Sequence, residues 1–158
     1  MHIQEMYFTK LITLTETFNR KQATISNKSM NPQPGDTRVY TKYVTASDFA
    51  RFDDGLVHAV CSTFSLARAA EWAGRLFVLD MKQEDEEGIG THLTINHRSP
   101  AFEGDKIEIT ATLTAHRGHE VICSFEARVG DRLVADGETG QKILKKEKLA
   151  GILAPNKL

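Results

Sequence analysis

The chain has 158 residues, of which 41% are hydrophobic and 26% are charged, and its net charge is −1 at pH 7. This length suffices for one domain with a hydrophobic core, and the charge gives no electrostatic basis for binding nucleic acid or an anionic membrane surface. The two cysteines, Cys61 and Cys123, are far apart and lack a metal-binding spacing, which favours a reducing compartment over a secreted disulfide scaffold.

Residues 1–29 are polar, rich in Thr and Asn, and without sustained periodicity; they are predicted to form an N-terminal extension of unknown role. They carry acids and polar residues where a secretory signal needs an apolar core, and no run in the chain approaches the roughly 20 apolar residues of a membrane span. The sequence therefore predicts a cytoplasmic protein without a membrane partner. The turn cluster "NPQPGD" opens the predicted domain, which covers residues 30–147 and precedes a C-terminal tail, residues 148–158.

The first predicted strand covers residues 36–45, which are rich in β-branched and aromatic side chains. Ser47 and Asp48 follow as residues that commonly start a helix. The segment they open ends in a predicted turn at Gly55.

A long helix is predicted from the segment "STFSLARAAEWAG", with Ser62 or Thr63 as its N-cap and its end near Leu79. Phe, Leu, Trp and Ala dominate the segment, so the helix is expected to be covered by protein on all sides. One carboxylate, Glu71, lies in the middle of this apolar stretch. A buried glutamate without a partner is costly, so its role needs an explanation.

After the helix, the apolar residues alternate with period two. The alternating segments are residues 88–97, 106–116, 120–129 and 132–144. Short turns join most of them, which predicts an antiparallel meander with one buried face. The order of strand, long apolar helix and four strands predicts an α+β hot-dog fold, a curved antiparallel β-sheet wrapped around one long central helix. Such a sheet has an exposed edge that pairing in a homodimer would cover.

Thr63, Glu71 and His97 are the candidate reactive residues. Each also has a structural interpretation: Thr63 can cap the helix, Glu71 can pair with Arg68 or Arg75 one turn away, and His97 can end a strand at the surface. His97, however, lies on the apolar face of its strand, which is expected to face the helix. A carboxylate, an imidazole and a hydroxyl that converge there form an acid–base or nucleophilic set.

From about residue 34 to 145, the chain resembles the fluoroacetyl-CoA thioesterase-like branch of the hot-dog thioesterases. The matching segments are "GDTRVYTKYVT", "STFSLARAAEWAG", "EEGIGTHLTINHRSPAFEGDKIEITATL" and "ADGETGQKIL". That family has a catalytic threonine eight residues before a glutamate, a histidine 26 residues after the glutamate, and a glycine seven residues before the histidine. Thr63, Glu71, His97 and Gly90 stand at these spacings.

The resemblance implies hydrolysis of an acyl-CoA to a carboxylic acid and coenzyme A, at sites formed between the subunits of a homodimer or a higher oligomer. It implies that Glu71 attacks the thioester carbonyl or activates water as a general base, and that His97 assists proton transfer. Thr63 would orient Glu71 or bond near the carbonyl oxygen. Gly90 would allow close backbone approach, with its N–H polarising the thioester oxygen. Neither a metal nor a separate cofactor is expected, since coenzyme A is part of the substrate.

The segment before Thr63 departs from the family pattern. Fluoroacetyl-specific members carry phenylalanines there, whereas "DDGLVHAVCS" has none, so the resemblance implies another short- or medium-chain acyl-CoA. Other hot-dog thioesterases use an aspartate in a loop just before the helix, which leaves Asp54 as an alternative base beside its role in a solvated turn.

The remaining candidates are weaker. Cys61 is expected to be a small buried residue, and His116 and His119 are expected to be solvated beside a hairpin turn and not to bind a metal. The alternative function is a non-catalytic acyl-CoA-binding or regulatory hot-dog protein.

Overall fold

The computed structural model describes residues 31–154. The N-terminal extension predicted over residues 1–29 lies outside the described residues, as do residues 155–158 of the predicted tail. The strands are β1 (Thr37–Tyr43), β2 (Phe49–Phe52), β3 (Gly55–Cys61), β4 (Glu86–His97), β5 (Lys106–Arg117), β6 (Glu120–Val129) and β7 (Arg132–Lys145), and the α-helices are α1 (Thr63–Met81) and α2 (Lys146–Leu153). Between residues 31 and 154, no helix is long and apolar enough to cross a membrane.

Five strands form one antiparallel sheet in the order β1-β5-β6-β7-β4. The alternation is clearest in β5, where Ile107, Ile109 and Leu113 are fully buried and Glu108 is exposed. Helix α1 packs on the buried face and contacts β1, β4, β5, β6 and β7. The predicted hot-dog fold, a curved sheet around one long helix, is therefore confirmed.

Small residues let α1 approach the sheet. A Cβ atom added to Gly74 would lie 2.4 Å from Oγ1 of the buried Thr139 on β7. Arg38 of β1 lies 4.8 Å from the Phe77 ring centroid and pairs with Asp80 at 2.7 Å. These contacts fix the helix over the sheet and thereby position its solvent-facing side chains.

The helix predicted to start at Ser47 and Asp48 is wrong. The structure has a single 3-10 turn, Ala46–Asp48, followed by the hairpin β2–β3, which forms a separate two-stranded sheet. The Asp48 carboxylate accepts a hydrogen bond from the Thr45 N–H at 2.9 Å, which closes the turn, and Phe49 then pairs with Cys61 across the hairpin. The predicted turn at Gly55 is confirmed, with a φ of 118° that favours glycine.

The composition predicted that helix α1 is covered by protein on all sides, but one side of the helix is exposed. Phe64, Trp72 and Leu79 are 64%, 43% and 42% exposed, because the sheet of one chain covers only one face of the helix. At the C-terminus, residues 148–153 of the predicted tail belong to α2, whose Leu149 is buried.

Candidate active site

The start of α1 brings Thr63 to His97. Ser62 is the N-cap of the helix, because its Oγ accepts a hydrogen bond from the Ser65 N–H at 3.1 Å. Thr63 is thus the first helical residue, and its side chain is exposed. Its Oγ1 lies 3.3 Å from Nδ1 of His97, 34 residues away at the end of β4. The contact shows that the Thr63 hydroxyl is engaged by an imidazole and does not cap the helix.

Glu71 lies beside Gly90 on the outer side of α1. A Cβ atom at Gly90 would be 2.5 Å from Oε1 of Glu71, so the carboxylate lies directly against the β4 backbone. The buried Gln141 of β7 donates its Nε2–H to the Glu71 carbonyl at 3.2 Å, which ties this turn of the helix to the sheet. The sequence missed this contact, since nothing in the spacing of the two residues relates them.

The carboxylate of Glu71 is exposed, not buried as the sequence suggested. Its expected partner Arg75 instead pairs with Glu87 at 2.8 Å. Across residues 31–154, no ion pair is made to Glu71, including the one considered with Arg68. Glu71 is therefore free to meet a ligand.

The structure brings the four residues together as two pairs, not as one cluster. Thr63 and Glu71 are eight residues apart on α1, which corresponds to about 12 Å along a helix axis. Gly90 and His97 are seven residues apart on β4, which corresponds to about 23 Å along a strand. The Glu71–Gly90 pair and the Thr63–His97 pair thus lie at different positions along α1 and β4.

A cavity of about 670 Å³ adjoins Glu71 between α1, β1 and the 3-10 turn. It is lined by Tyr40, Lys42, Tyr43, Thr45, Ser47, Asp48, Ser65, Arg68, Ala69, Glu71, Trp72 and Arg75. The wall combines aromatic rings, three cations and hydroxyl groups, and its volume lies within the range of small-molecule binding sites.

A buried carboxylate organises one wall of this cavity. Asp48 is 9% exposed, and Lys42 Nζ and Ser65 Oγ each donate to its Oδ1 at 2.6 Å. Burial raises the pKa of Asp48, but hydrogen bonds from Lys42, Ser65 and Thr45 outweigh it and lower the pKa to about 2. The cluster was not identified from the sequence; the capping-box spacing of Thr45 and Asp48 was the available signal.

The alternative base, Asp54, lies in the exposed turn between β2 and β3. The turn end of that hairpin contacts α1 next to Thr63: the rings of Phe52 and Phe64 meet edge to face at a centroid distance of 5.6 Å. Val57, within the hairpin, is 47% exposed. Aromatic side chains are thus present near Thr63, although none lies inside the segment that precedes it.

The burial expected for Cys61 and the solvent exposure expected for His116 and His119 are confirmed. Cys61 is fully buried, and burial raises the pKa of its thiol. His116 and His119 are exposed at the β5–β6 turn.

Comparison with known proteins gives the family. The sequence profile of FlK, described as fluoroacetyl-CoA-specific thioesterase, matches residues 44–147. A Thermus thermophilus hypothetical protein, described as a thioesterase superfamily member, is 32% identical, with a TM-score of 0.74 over 78% of this chain and 92% of that chain. A search of curated proteins finds no match.

Two further solved structures, at lower identity, show the same fold. The fluoroacetyl-CoA thioesterase FlK is 16% identical, with a TM-score of 0.75 over 81% of this chain and 99% of its own. A hot-dog-like protein from Thermanaerovibrio acidaminovorans is 20% identical, with a TM-score of 0.70 over 76% of this chain and 89% of its own. From the matched profile and the 32% identical thioesterase superfamily member, the chain belongs to the fluoroacetyl-CoA-specific thioesterase family and is a thioester hydrolase.

Proposed function

We propose that the protein hydrolyses short- or medium-chain acyl-CoA to a carboxylic acid and coenzyme A, with Glu71 as the central catalytic residue. The observation that carries the proposal is the position of the Glu71 carboxylate. It is exposed, it makes no ion pair between residues 31 and 154, and it lies against Gly90 at the wall of a cavity of about 670 Å³. A carboxylate kept free in this way can act on a bound thioester.

Two routes are open to Glu71. In the first, the carboxylate attacks the thioester carbonyl, the C–S bond breaks with release of coenzyme A, and water then hydrolyses the acyl anhydride. In the second, the carboxylate takes a proton from water as the water attacks the carbonyl. In both, the Gly90 N–H is proposed to stabilise charge on the thioester oxygen, and His97 is proposed to transfer protons with Thr63 as its partner.

We propose further that the complete site forms between two subunits of a homodimer. Strand β4 is the last strand of the sheet and pairs only with β7 within residues 31–154, and an unpaired edge of this length is suited to pairing with a second copy. Antiparallel pairing of two β4 strands about an axis between Leu93 and Thr94 would place Gly90 opposite His97 of the partner subunit. Each site would then combine Glu71 and Gly90 of one chain with the second chain's hydroxyl and imidazole.

The cavity supports an acyl group larger than fluoroacetyl. Tyr40, Tyr43 and Trp72 supply apolar surface along the cavity beside Glu71. The hairpin residues Leu56 and Val57, which precede Thr63, are aliphatic and about half exposed. These features favour a short or medium acyl chain over selection for fluoroacetyl.

We also propose a cytoplasmic location and no cofactor besides the coenzyme A of the substrate. Both cysteines are free and buried, which is compatible with a reducing compartment. The proposed hydrolysis consumes only water and the thioester.

The first test is an acyl-CoA series of increasing chain length, with thiol release followed for the wild type, Glu71→Gln and His97→Ala. We expect release of coenzyme A from at least one substrate and a large loss in both variants. Binding of acyl-CoA without turnover would support the alternative, a non-catalytic acyl-CoA-binding protein. Unchanged activity in both variants would remove these residues from the mechanism.

The second test asks whether the site is shared. Glu71→Gln and His97→Ala chains are unfolded, mixed in equal amounts and refolded together. If the site is shared, each mixed dimer has one complete site out of two. About half of the dimers are mixed, so about a quarter of wild-type activity should return. A site contained in one chain restores none.

The third test asks which carbonyl the water attacks. A single turnover in H₂¹⁸O is followed by mass spectrometry of the peptide that contains Glu71. Incorporation of ¹⁸O into its carboxylate identifies the anhydride route with water attacking the Glu71 carbonyl, whereas label confined to the product acid excludes that route and means that water attacks the acyl carbonyl.

A further inference from the structure

We infer that Ser99 and Arg132 are positioning residues that hold His97 with hydrogen on Nε2 and with Nδ1 directed at Thr63. The inference rests on the proposed catalytic role of His97, and it begins with the two contacts of the ring. Nε2 lies 3.1 Å from the Ser99 carbonyl oxygen, and Nδ1 lies 3.3 Å from Oγ1 of Thr63.

The contact to Ser99 decides which nitrogen carries hydrogen. A carbonyl oxygen can only accept a hydrogen bond, so Nε2 of His97 must donate. In the neutral ring, Nδ1 then has a free lone pair. Thr63 can satisfy it only by donating its hydroxyl hydrogen, which makes Nδ1 the proton acceptor of this pair.

The Ser99 carbonyl is held in place by its own loop. The backbone N–H groups of Arg98 and Ser99 both donate to the Val134 carbonyl, at 2.7 and 3.2 Å. The Ser99 hydroxyl donates to the Leu133 carbonyl at 2.6 Å. The loop that follows β4 is therefore fixed to the start of β7 through backbone and side chain alike.

The Arg132 guanidinium donates hydrogen bonds to residues of this loop. Its Nη1 donates to Ser99 Oγ at 3.1 Å and to the carbonyl of Pro100. Its Nη2 also lies 3.4 Å from Oδ2 of Asp105. One guanidinium thus joins the residue that orients His97 to the turn before β5.

This arrangement lets His97 gain and lose a proton without rotating. When Nδ1 takes a proton from the Thr63 hydroxyl, or from water that replaces it, the Nε2–H bond to Ser99 stays in place and becomes charge-assisted. The Ser99 carbonyl thereby has the role of the acid in a nucleophile–histidine–acid triad. It holds the ring in place and fixes which ring nitrogen carries hydrogen. Because the Thr63 hydrogen points at His97, it is not available to Glu71 of the same chain.

The test measures which nitrogen of the His97 ring carries hydrogen, and it does not depend on activity. In the full chain labelled with ¹⁵N-histidine, we expect the ¹⁵N NMR signals of the wild-type His97 ring to show hydrogen on Nε2 and none on Nδ1. Ser99→Ala and Arg132→Gln should lose or broaden these signals, and Ser99→Thr, which keeps the hydroxyl, should restore them. Arg128→Gln is the matched control, because Arg128 lies at the same β6–β7 turn but bonds Glu126 and the Asp131 carbonyl.

Kinetics supply the second readout. For any acyl-CoA that the wild type hydrolyses, Ser99→Ala and Arg132→Gln should lower kcat by about 10- to 100-fold with little change in KM, and Ser99→Thr should keep most of it. Should Arg132→Gln not fold, Ser99→Ala decides the question. A ring hydrogen found on Nδ1 in the wild type, or a Ser99→Ala chain with unchanged signal and kcat, would overturn the inference. A wild type without any thioesterase activity would contradict the proposed function but leave the ring assignment measurable.

Discussion

Oε1 of Glu71 is so close to Gly90 that a methyl group there would lie 2.5 Å from it. The atom in the way is the end of a flexible side chain, so the Gly90→Ala chain should fold with the carboxylate displaced. We expect kcat to fall by about 100-fold and the midpoint of thermal unfolding to stay close to that of the wild type. Steady-state kinetics and a thermal melt on the same preparation check both halves of the prediction.

Gly88→Ala is the matched control on the same strand. Its added methyl group would lie 2.5 Å from Cγ1 of Val78, which is fully buried in the core. This variant should lower the free energy of unfolding, since the core must shift to accept the methyl group. If Gly90→Ala lost stability as Gly88→Ala does while keeping its activity, the close approach of Glu71 would have only a structural role.

Replacing Glu71 by Gln should remove activity without loss of stability. The side chain is exposed and makes no ion pair within the described part of the chain, so the free energy of unfolding should change by less than about 0.5 kcal/mol. Loss of a carboxylate that handles the reacting groups should lower kcat by about 100- to 10,000-fold. Glu103→Gln, at an exposed position in the β4–β5 loop, is the control and should match the wild type in both measurements.

Asp48 should make the stability of the fold depend on pH. Its pKa is about 2 in the folded protein, against an ordinary value of 3.8, so the folded state holds the ionised form more strongly than the unfolded chain does. The stabilisation, about 2 kcal/mol, is complete above the ordinary pKa and is lost as the pH falls from about 4 towards 2. Urea unfolding at a series of pH values should show this loss for the wild type.

The Asp48→Asn variant supplies the comparison for that series. It should be less stable than the wild type near pH 7, and the difference should shrink as the pH falls through the same window. Ser65→Ala, which removes one donor to Asp48, should show a smaller effect with the same sign. A constant difference at every pH would mean that the carboxylate charge has no part in the stabilisation.

Both thiols should be unreactive in the folded protein. Cys61 and Cys123 are buried, and burial raises the pKa of Cys123 to about 12, so almost no thiolate is present near neutral pH. A disulfide reagent such as DTNB should titrate no thiol in the native chain and two in denaturant, because the sequence has two cysteines. Rapid native labelling would contradict this burial and would also interfere with thiol-release assays of coenzyme A.

The main sheet could be predicted from the sequence, whereas the hairpin β2–β3 could not. Strand β5 alternates fully buried and exposed residues such as Ile107 and Glu108, and that period follows directly from its burial on one face. In β3, consecutive residues including Leu56 and Val57 are all exposed. The part of β3 that is exposed on both faces has no alternation in its sequence.

The resemblance to the family nominated the site residues, but the sequence did not show how they are arranged. The sequence placed Thr63 near Glu71, yet the structure pairs Thr63 with His97. It also suggested a buried Glu71 from apolar neighbours such as Trp72, which is itself 43% exposed. Composition cannot show which face of an apolar helix the sheet of one chain leaves open, because that depends on long-range packing.

The outer part of the hairpin β2–β3, residues 51–59, can change without disturbing the core, because all of its residues except Gly55 are exposed. In residues 31–154 its two strands pair only with each other, and their register is irregular on both sides of Ala50. The turn end of the hairpin contacts the site, where the Phe52 ring packs against the Phe64 ring beside Thr63. Insertions or substitutions in this hairpin can therefore reshape what enters the site while the five-stranded sheet, and the backbone that holds Gly90 and His97, keep their register.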